Sequence, residues 1–207
     1  KNETGNLKIS FKNKNNIFEY QINENTLDII SKDNNKIFKV LMEFKPFYLV
    51  SNIEYQSFRI KDLLNNSFFM EILKSQALNN KNLNAIINFD VKNVYDFDRF
   101  SDLSLELKIE EGNFNFSNSN IIWKENVNIS FSDAFLNFDK EKINFNGRTS
   151  FKVKNQDEFY KFFQIKKDLR KNIEKIELDF NFDFNDEKIT FDNLKIDNKS
   201  NKKLEEI

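Results

Sequence analysis

Apolar and polar residues alternate along most of the chain, a pattern typical of β-strands that present one face to water. In the runs 7–11 and 18–22, Leu, Ile, Phe and Tyr occupy every second position, and an Asn-rich segment suited to a turn separates them. These two runs predict a β-hairpin. Similar runs predict further strands at 26–31, 36–44 and 47–60.

The same alternation continues through the second half of the chain. It predicts strands at 82–91, 103–109, around Phe114 and Phe116, at 121–123, 127–131, 134–138, 143–153, 176–184 and 189–196. Gly112 and Asn113 are expected to form a turn, and Gly147 is expected to mark a bulge or bend in a long strand.

Two segments depart from the alternation, because their apolar residues recur at intervals of three and four. The first predicts a helix at 62–78, and the second, with Phe159, Phe162 and Phe163, predicts a helix over 156–173 that is capped by Asn155 or Asp157. Each helix follows five or six strands. The chain is therefore divided into a β unit 1–80 with a helix near 62–78, a β unit 81–197 with a helix near 156–172, and a tail 198–207.

Composition excludes several classes of function. The 207 residues contain no Cys and no His, so the chain lacks disulfides, thiolate nucleophiles, Cys/His zinc sites and Ser-His-Asp triads. No phosphate-binding loop or nucleophile elbow occurs. The formal net charge of −1 gives no basic footprint for nucleic acid. We therefore expect a non-enzymatic protein with no catalytic residues, no metal and no cofactor, and with no nucleic-acid partner.

These features predict a mostly β fold with two short helices, arranged as a curved antiparallel sheet or open β-groove of repeated strand units. The alternative is a β-sandwich. Two amphipathic helices are too few to cover so long a sheet, although a sheet that curls on itself solves the same problem. The apolar face is thus either a closed core or the lining of a groove for an acyl chain or another long apolar ligand.

A family resemblance favours the groove. Residues 151–197, FKVKNQDEFYKFFQIKKDLRKNIEKIELDFNFDFNDEKITFDNLKID, resemble the C-terminal region of AsmA-like proteins, in which a strand, a short helix and two further strands end the domain. The preceding strands from 83 to 147, which include INFNG at 143–147, are similar to the β-rich repeats of that family. The resemblance implies a periplasmic part of an inner-membrane-anchored protein, with a role in phospholipid transport, envelope maintenance and outer-membrane biogenesis.

The resemblance also implies which residues would line the groove, namely the apolar side of the alternation in the second half of the chain. These lipid-groove candidates are Leu103, Leu105, Leu107, Ile109, Phe114, Phe116, Ile129, Phe131, Ile143, Phe145, Phe151, Val153, Leu178, Phe180, Phe182 and Phe184. The expected partners are phospholipid or another long apolar ligand, the membrane through an anchor outside this segment, and neighbouring β-repeats at the strand edges. The alternative function is a structural or protein-interaction β-domain with a closed core.

Two other clusters have a simpler explanation. Asp179, Asn181, Asp183 and Asn185 carry oxygen ligands at two-residue spacing, but they do not form a Ca²⁺-binding loop and are expected on the solvent face of a strand. Lys166, Lys167, Arg170 and Lys171 follow Phe162 and Phe163. They predict a solvated helix end, with contact to anionic lipid headgroups as the alternative.

Overall fold

The computed structural model describes residues 2–11, 14–31, 36–59, 80–95, 99–139 and 142–200. These residues are mostly β, and fourteen strands form one long curved sheet. The mostly β fold is therefore confirmed. The described strands belong to one sheet, whereas a sandwich would have two.

The strands run in chain order across the sheet, apart from β9, which lies to one side between β7 and β10. The strands are β1 (Glu3–Phe11), β2 (Lys14–Ile22), β3 (Thr26–Ser31), β4 (Lys36–Phe44), β5 (Phe47–Phe58), β6 (Asn84–Val94), β7 (Phe100–Glu110), β8 (Asn113–Asn115), β9 (Asn120–Trp123), β10 (Val127–Asp139), β11 (Lys142–Val153), β12 (Lys175–Asp183), β13 (Lys188–Ile196) and β14 (Lys199–Ser200).

One pair of neighbouring strands departs from the predicted antiparallel arrangement. β5 and β6 are parallel, with Tyr48 opposite Asn84 and Phe58 opposite Val94, so the sheet is mixed. Parallel neighbours need a long crossover connection. The helix predicted at 62–78 falls in this interval and lies outside the described residues. The sheet itself continues across the boundary predicted at residue 80.

Two predictions about the second half are corrected by β10 and β11. The runs 127–131 and 134–138 form one strand, β10, which contains an irregularity between Ser132 and Phe135. The bulge expected at Gly147 is thus in the facing strand, while Gly147 itself pairs regularly with Phe180 of β12. The turn after β7 has Glu111 and Gly112 at positive φ, one residue earlier than predicted.

The second predicted helix is shorter than its sequence period indicates. Helix α1 spans Gln156–Phe162, and a single 3₁₀ turn follows at Lys167–Leu169. Gln164 takes a φ of 55°, and the backbone N–H of Ile165 donates to the carbonyl of Tyr160 at 3.0 Å. This is the hydrogen-bonded, left-handed C-terminus that usually contains glycine. Because glutamine fills that position, the end of the helix has no signal in the sequence.

The buried core is a row of side chains that crosses the sheet from strand to strand. The strand registers align Leu49, Ala85, Ile109, Phe114 and Leu136 on β5, β6, β7, β8 and β10. Phe114 and Ile109 are among the most completely buried side chains. Among the described residues, the core therefore lies on one face of a single sheet, where side chains from neighbouring strands pack against one another.

Candidate functional site

The candidate site is the apolar face of the sheet. Strand register puts the predicted lining residues on this one face: Leu107 opposes Ile87, Phe131 opposes Thr149, and Phe145 opposes Phe182. Phe116 lies beyond the end of β8, and its ring contacts that of Phe145 with 5.5 Å between centroids. The tertiary structure thus brings residues from β7, β8, β10, β11 and β12, and from the segments that follow β8 and β12, onto a common surface.

Burial differs among the predicted lining residues. The buried members are Leu103, Ile109, Phe114, Ile143, Val153 and Phe180. The half-buried members are Leu105, Leu107, Phe116, Ile129, Phe131, Phe145, Phe151, Leu178, Phe182 and Phe184. The first group forms the structural core. The second group keeps part of each side chain accessible and can contact a ligand.

The apolar face also includes residues that the sequence did not assign to the site. Ile189 and Phe191 of β13 oppose Phe182 and Phe180 and remain 50% and 54% exposed. Their alternation is visible in the sequence, but their place beside β12 depends on the strand pairing. At the other end of the sheet, Phe18 of β2 and Phe38 of β4 share this face, with ring centroids 5.2 Å apart. The resemblance did not cover that half of the chain.

Three phenylalanine rings cluster above Gly147 on this face. Phe180 lies 5.1 Å from Phe145 and 5.8 Å from Phe131, measured between ring centroids. Gly147 pairs with Phe180, and the place of its missing side chain is taken by Ala134 of β10. Rings at such separations have favourable edge-to-face geometry. These three rings pack side by side on β10, β11 and β12 and form a continuous aromatic part of the face.

Helix α1 packs on one end of the apolar face. The ring of Trp123, on β9, lies 4.8 Å from that of Phe162 and 6.4 Å from that of Phe159. The start of the helix is fixed by Asn126, whose side-chain amide donates to the carbonyl of Asn155 at 2.8 Å and accepts from its N–H at 2.5 Å. Asn155, one of the two caps that the sequence predicted, in turn caps the helix by accepting from the N–H of Glu158.

The opposite face of the sheet is polar and is connected by hydrogen bonds between strands. Asn88 donates to Asn52 at 2.8 Å, and Asp179 accepts from Arg148 at 2.9 Å and from Asn193 at 2.7 Å. Burial alone would raise the pKa of Asp179, but the hydrogen bonds from Asn193 and Arg148 outweigh it and lower the pKa. Asp179 is thus held as a carboxylate that pairs strands.

The oxygen-rich run on β12 is used in local structure. Asp183 accepts from the N–H groups of Asn185 and Asp186, at 2.8 and 3.1 Å, and these backbone bonds lower its pKa. It therefore closes the turn between β12 and β13. Among the residues that the structure describes, no group of three or more acids could hold a metal ion.

The polar face also has shallow depressions. One of about 620 Å³ is lined by residues that include Glu54, Asp90, Lys92 and Ser104. Apolar residues such as Ile37 and Val91 also line it, so its lining mixes charged, polar and apolar side chains. The apolar face differs from this depression in its continuous row of Phe, Leu and Ile side chains from strand to strand, which suits an aliphatic chain.

Comparisons with protein-family models, with curated proteins and with solved structures find no match to this chain. The resemblance to AsmA-like proteins therefore stays a prediction. Within the described ranges, no helix has the length and apolar character needed to cross a bilayer.

Proposed function

We propose that the apolar face of the sheet binds phospholipid acyl chains, or chemically similar long apolar ligands, without catalysing a reaction. The observation that carries this proposal is the accessible apolar surface on one side of the sheet, including Ile189 and Phe191 at its edge. In the described part of the chain, the main contacts between elements run between strands that are neighbours in the sheet. The half-buried side chains there have no second sheet packed on them.

The dimensions of this face suit an acyl chain. Neighbouring strands lie about 4.8 Å apart, so the face from β6 to β13 extends for about 30 Å across the strands. One acyl chain occupies about half of the ~30 Å hydrocarbon thickness of a bilayer. Transfer from water to such a surface gains about 0.8 kcal/mol per methylene, so binding does not need a specific polar contact.

The resemblance of residues 151–197 to AsmA-like proteins supports a cellular setting for this activity. We propose that the segment is periplasmic, belongs to an inner-membrane-anchored protein and holds lipid during transport or envelope maintenance. The exposed outer edge of the sheet would then meet neighbouring β-repeats.

The experiment is native mass spectrometry of the purified protein, followed by organic extraction and lipid analysis. We expect retained phospholipid in the wild type. We expect the double variant Ile189→Asn/Phe191→Asn to bind about tenfold less of an added phospholipid, because two accessible apolar side chains are replaced by polar ones. A phospholipid with a photoreactive acyl chain should label peptides of the apolar face.

The matched control is Ile30→Asn/Ile37→Asn. Ile30 is 48% exposed, a fraction similar to the 50% of Ile189. Both control residues lie on the polar face, where Ile30 opposes Lys39 and Ile37 opposes Glu54. The control should retain wild-type lipid. A protein that carries no lipid and takes up none when phospholipid is offered would refute the proposal and support the structural or protein-interaction domain with a closed core.

A further inference from the structure

The loop that follows helix α1 exposes large apolar side chains beside the helix. Phe163 is 52% exposed and Leu169 is 65% exposed, and Ile165 lies between them in the chain. Large apolar side chains that remain exposed together in a fixed loop are unusual on a soluble surface and mark a contact site. The helical period of the sequence places Leu169 on the apolar side of a helix, but the helix ends before it.

The loop is held in place by hydrogen bonds to the helix. The buried Tyr160 donates its hydroxyl proton to the carbonyl of Lys171. The side-chain amide of Gln156 donates a hydrogen bond to the side-chain oxygen of Asn172 at 2.6 Å. Within the loop, the side chain of Arg170 donates to the carbonyl of Ile165 at 3.0 Å. The apolar side chains are therefore presented by an ordered segment, so little conformational entropy is lost when they are buried.

Basic residues surround these apolar side chains. The segment 161–171 reads KFFQIKKDLRK, in which Lys161, Lys166, Lys167, Arg170 and Lys171 accompany a single acid, Asp168. This segment is therefore strongly basic, whereas the whole chain has a net charge of −1. Lys161 pairs with Glu158 at 2.8 Å and Arg170 with Asp157 at 3.6 Å. In the described structure, Lys166, Lys167 and Lys171 are exposed and form no ion pair.

Two further cations contact the aromatic cluster formed by Trp123, Phe159 and Phe162. The Lys124 ammonium is 4.0 Å and the Arg99 guanidinium 4.7 Å from the ring centroid of Phe162. Phe163 contacts this cluster through Phe162 and Trp123, with ring centroids 5.0 and 6.0 Å away. Aromatic and aliphatic side chains ringed by Lys and Arg are the composition that binds at the headgroup level of a bilayer.

We infer that the segment 161–171, here called the docking loop, binds the surface of an anionic lipid bilayer. Leu169, Ile165 and the exposed side of Phe163 enter the boundary between headgroups and acyl chains, while Lys166, Lys167 and Lys171 contact anionic headgroups. Charge complementarity selects this partner, because basic side chains near an anionic leaflet add attraction that a neutral surface lacks. Docking of this loop does not require lipid binding by the apolar face.

The test is flotation of the full chain with vesicles of phosphatidylcholine that contain phosphatidylglycerol, compared with vesicles of phosphatidylcholine alone. Binding should require phosphatidylglycerol and weaken with added salt. Each lysine near such a surface contributes about a fivefold gain, so Lys166→Gln/Lys167→Gln/Lys171→Gln should lower the partition coefficient by about a hundredfold. The matched control, Lys39→Gln/Lys81→Gln/Lys92→Gln, removes three exposed lysines from elsewhere and should leave most of the binding intact.

A second variant tests insertion rather than charge alone. Leu169→Asn should weaken vesicle binding severalfold, whereas Leu41→Asn, which removes an exposed leucine on the polar face, should not. The single tryptophan is a reporter, since Trp123 lies beside Phe163. Brominated acyl chains in the phosphatidylglycerol vesicles should quench its fluorescence.

Three outcomes would overturn the inference. Equal binding to both vesicle types, loss of binding in the lysine variant without loss in Leu169→Asn, or capture by soluble polyglutamate in preference to vesicles would each contradict docking on an anionic bilayer. The last result would indicate an acidic protein partner instead. A failure of vesicle docking is distinguishable from a failure of lipid binding by the apolar face. Variants of the docking loop should still retain the lipid that copurifies with the wild type, and Ile189→Asn/Phe191→Asn should still bind vesicles.

Discussion

At the scale of single residues, Gly147 shows how one position controls the spacing of two strands. A Cβ atom there would lie 2.6 Å from the Cα of Ala134 and 2.9 Å from its Cβ. Ala134 is fully buried within the bulge of β10. The sequence indicated an irregularity near Gly147, but it could not show that the extra residue belongs to the facing strand, because only the pairing reveals which strand is longer.

Gly147→Ala should therefore destabilise the protein by about 1–3 kcal/mol, since backbone atoms of β10 must move to admit the methyl group. Urea unfolding followed by circular dichroism measures this change. The matched control is Gly5→Ala, where the three atoms nearest to the added Cβ all belong to the phenol end of Tyr20, the movable end of a side chain. Equal effects of the two substitutions would contradict the role assigned to Gly147.

At the scale of elements, helix α1 depends on contacts that its own sequence period does not reveal. The period continues to residue 173, whereas the helix ends at Phe162 because Gln164 adopts the left-handed region. The helix begins where Asn126, from the turn after β9, bonds both backbone groups of Asn155. The sequence predicted Asn155 or Asp157 as the N-cap, but it could not predict the contribution of Asn126, 29 residues away.

Asn126→Ala should lower the free energy of unfolding by about 1–3 kcal/mol, because the two part-buried hydrogen bonds between Asn126 and the backbone of Asn155 are lost. Trp123 fluorescence should also change as the helix loosens over its ring. The control is Asn126→Asp, which keeps the acceptor for the N–H of Asn155 and should cost less. Unchanged stability of Asn126→Ala would show that the helix is positioned by its aromatic contacts alone.

At the scale of the whole molecule, the sheet has strand edges that are uncovered in the described structure. β1 pairs on one side only, with β2. β14 covers only Lys195 and Ile196 of β13, which leaves the rest of that strand without an outer neighbour among the described residues. Uncovered edges with apolar side chains such as Ile189 and Phe191 favour pairing with another chain.

We therefore expect the isolated protein to self-associate as its concentration rises. Sedimentation velocity over a concentration series measures this, and Thr190→Lys/Asp192→Lys should reduce it, because like charges along an edge strand oppose pairing. These two residues lie on the polar side of β13, so the substitutions leave the apolar face unaltered. A single monomeric species at every concentration would contradict edge pairing.

The sequence by itself determined where most of the described strands lie and which side of each strand is apolar, although β14 falls in the predicted tail 198–207. Both follow from the period-two alternation, which is a local property of the chain and survives as the pairs Phe145–Phe182 and Leu107–Ile87. The absence of Cys and His likewise excludes whole classes of chemistry, since no fold can supply side chains that the chain lacks.

Only the tertiary structure decided how the strands combine. Alternation does not fix strand direction, so the parallel pair β5–β6 was not foreseen. It also does not separate core from accessible surface: Phe180 and Phe182 have the same pattern, yet one is buried and the other half-buried. That difference arises from neighbours contributed by other strands, such as Phe131 beside Phe180, and these neighbours are distant in sequence.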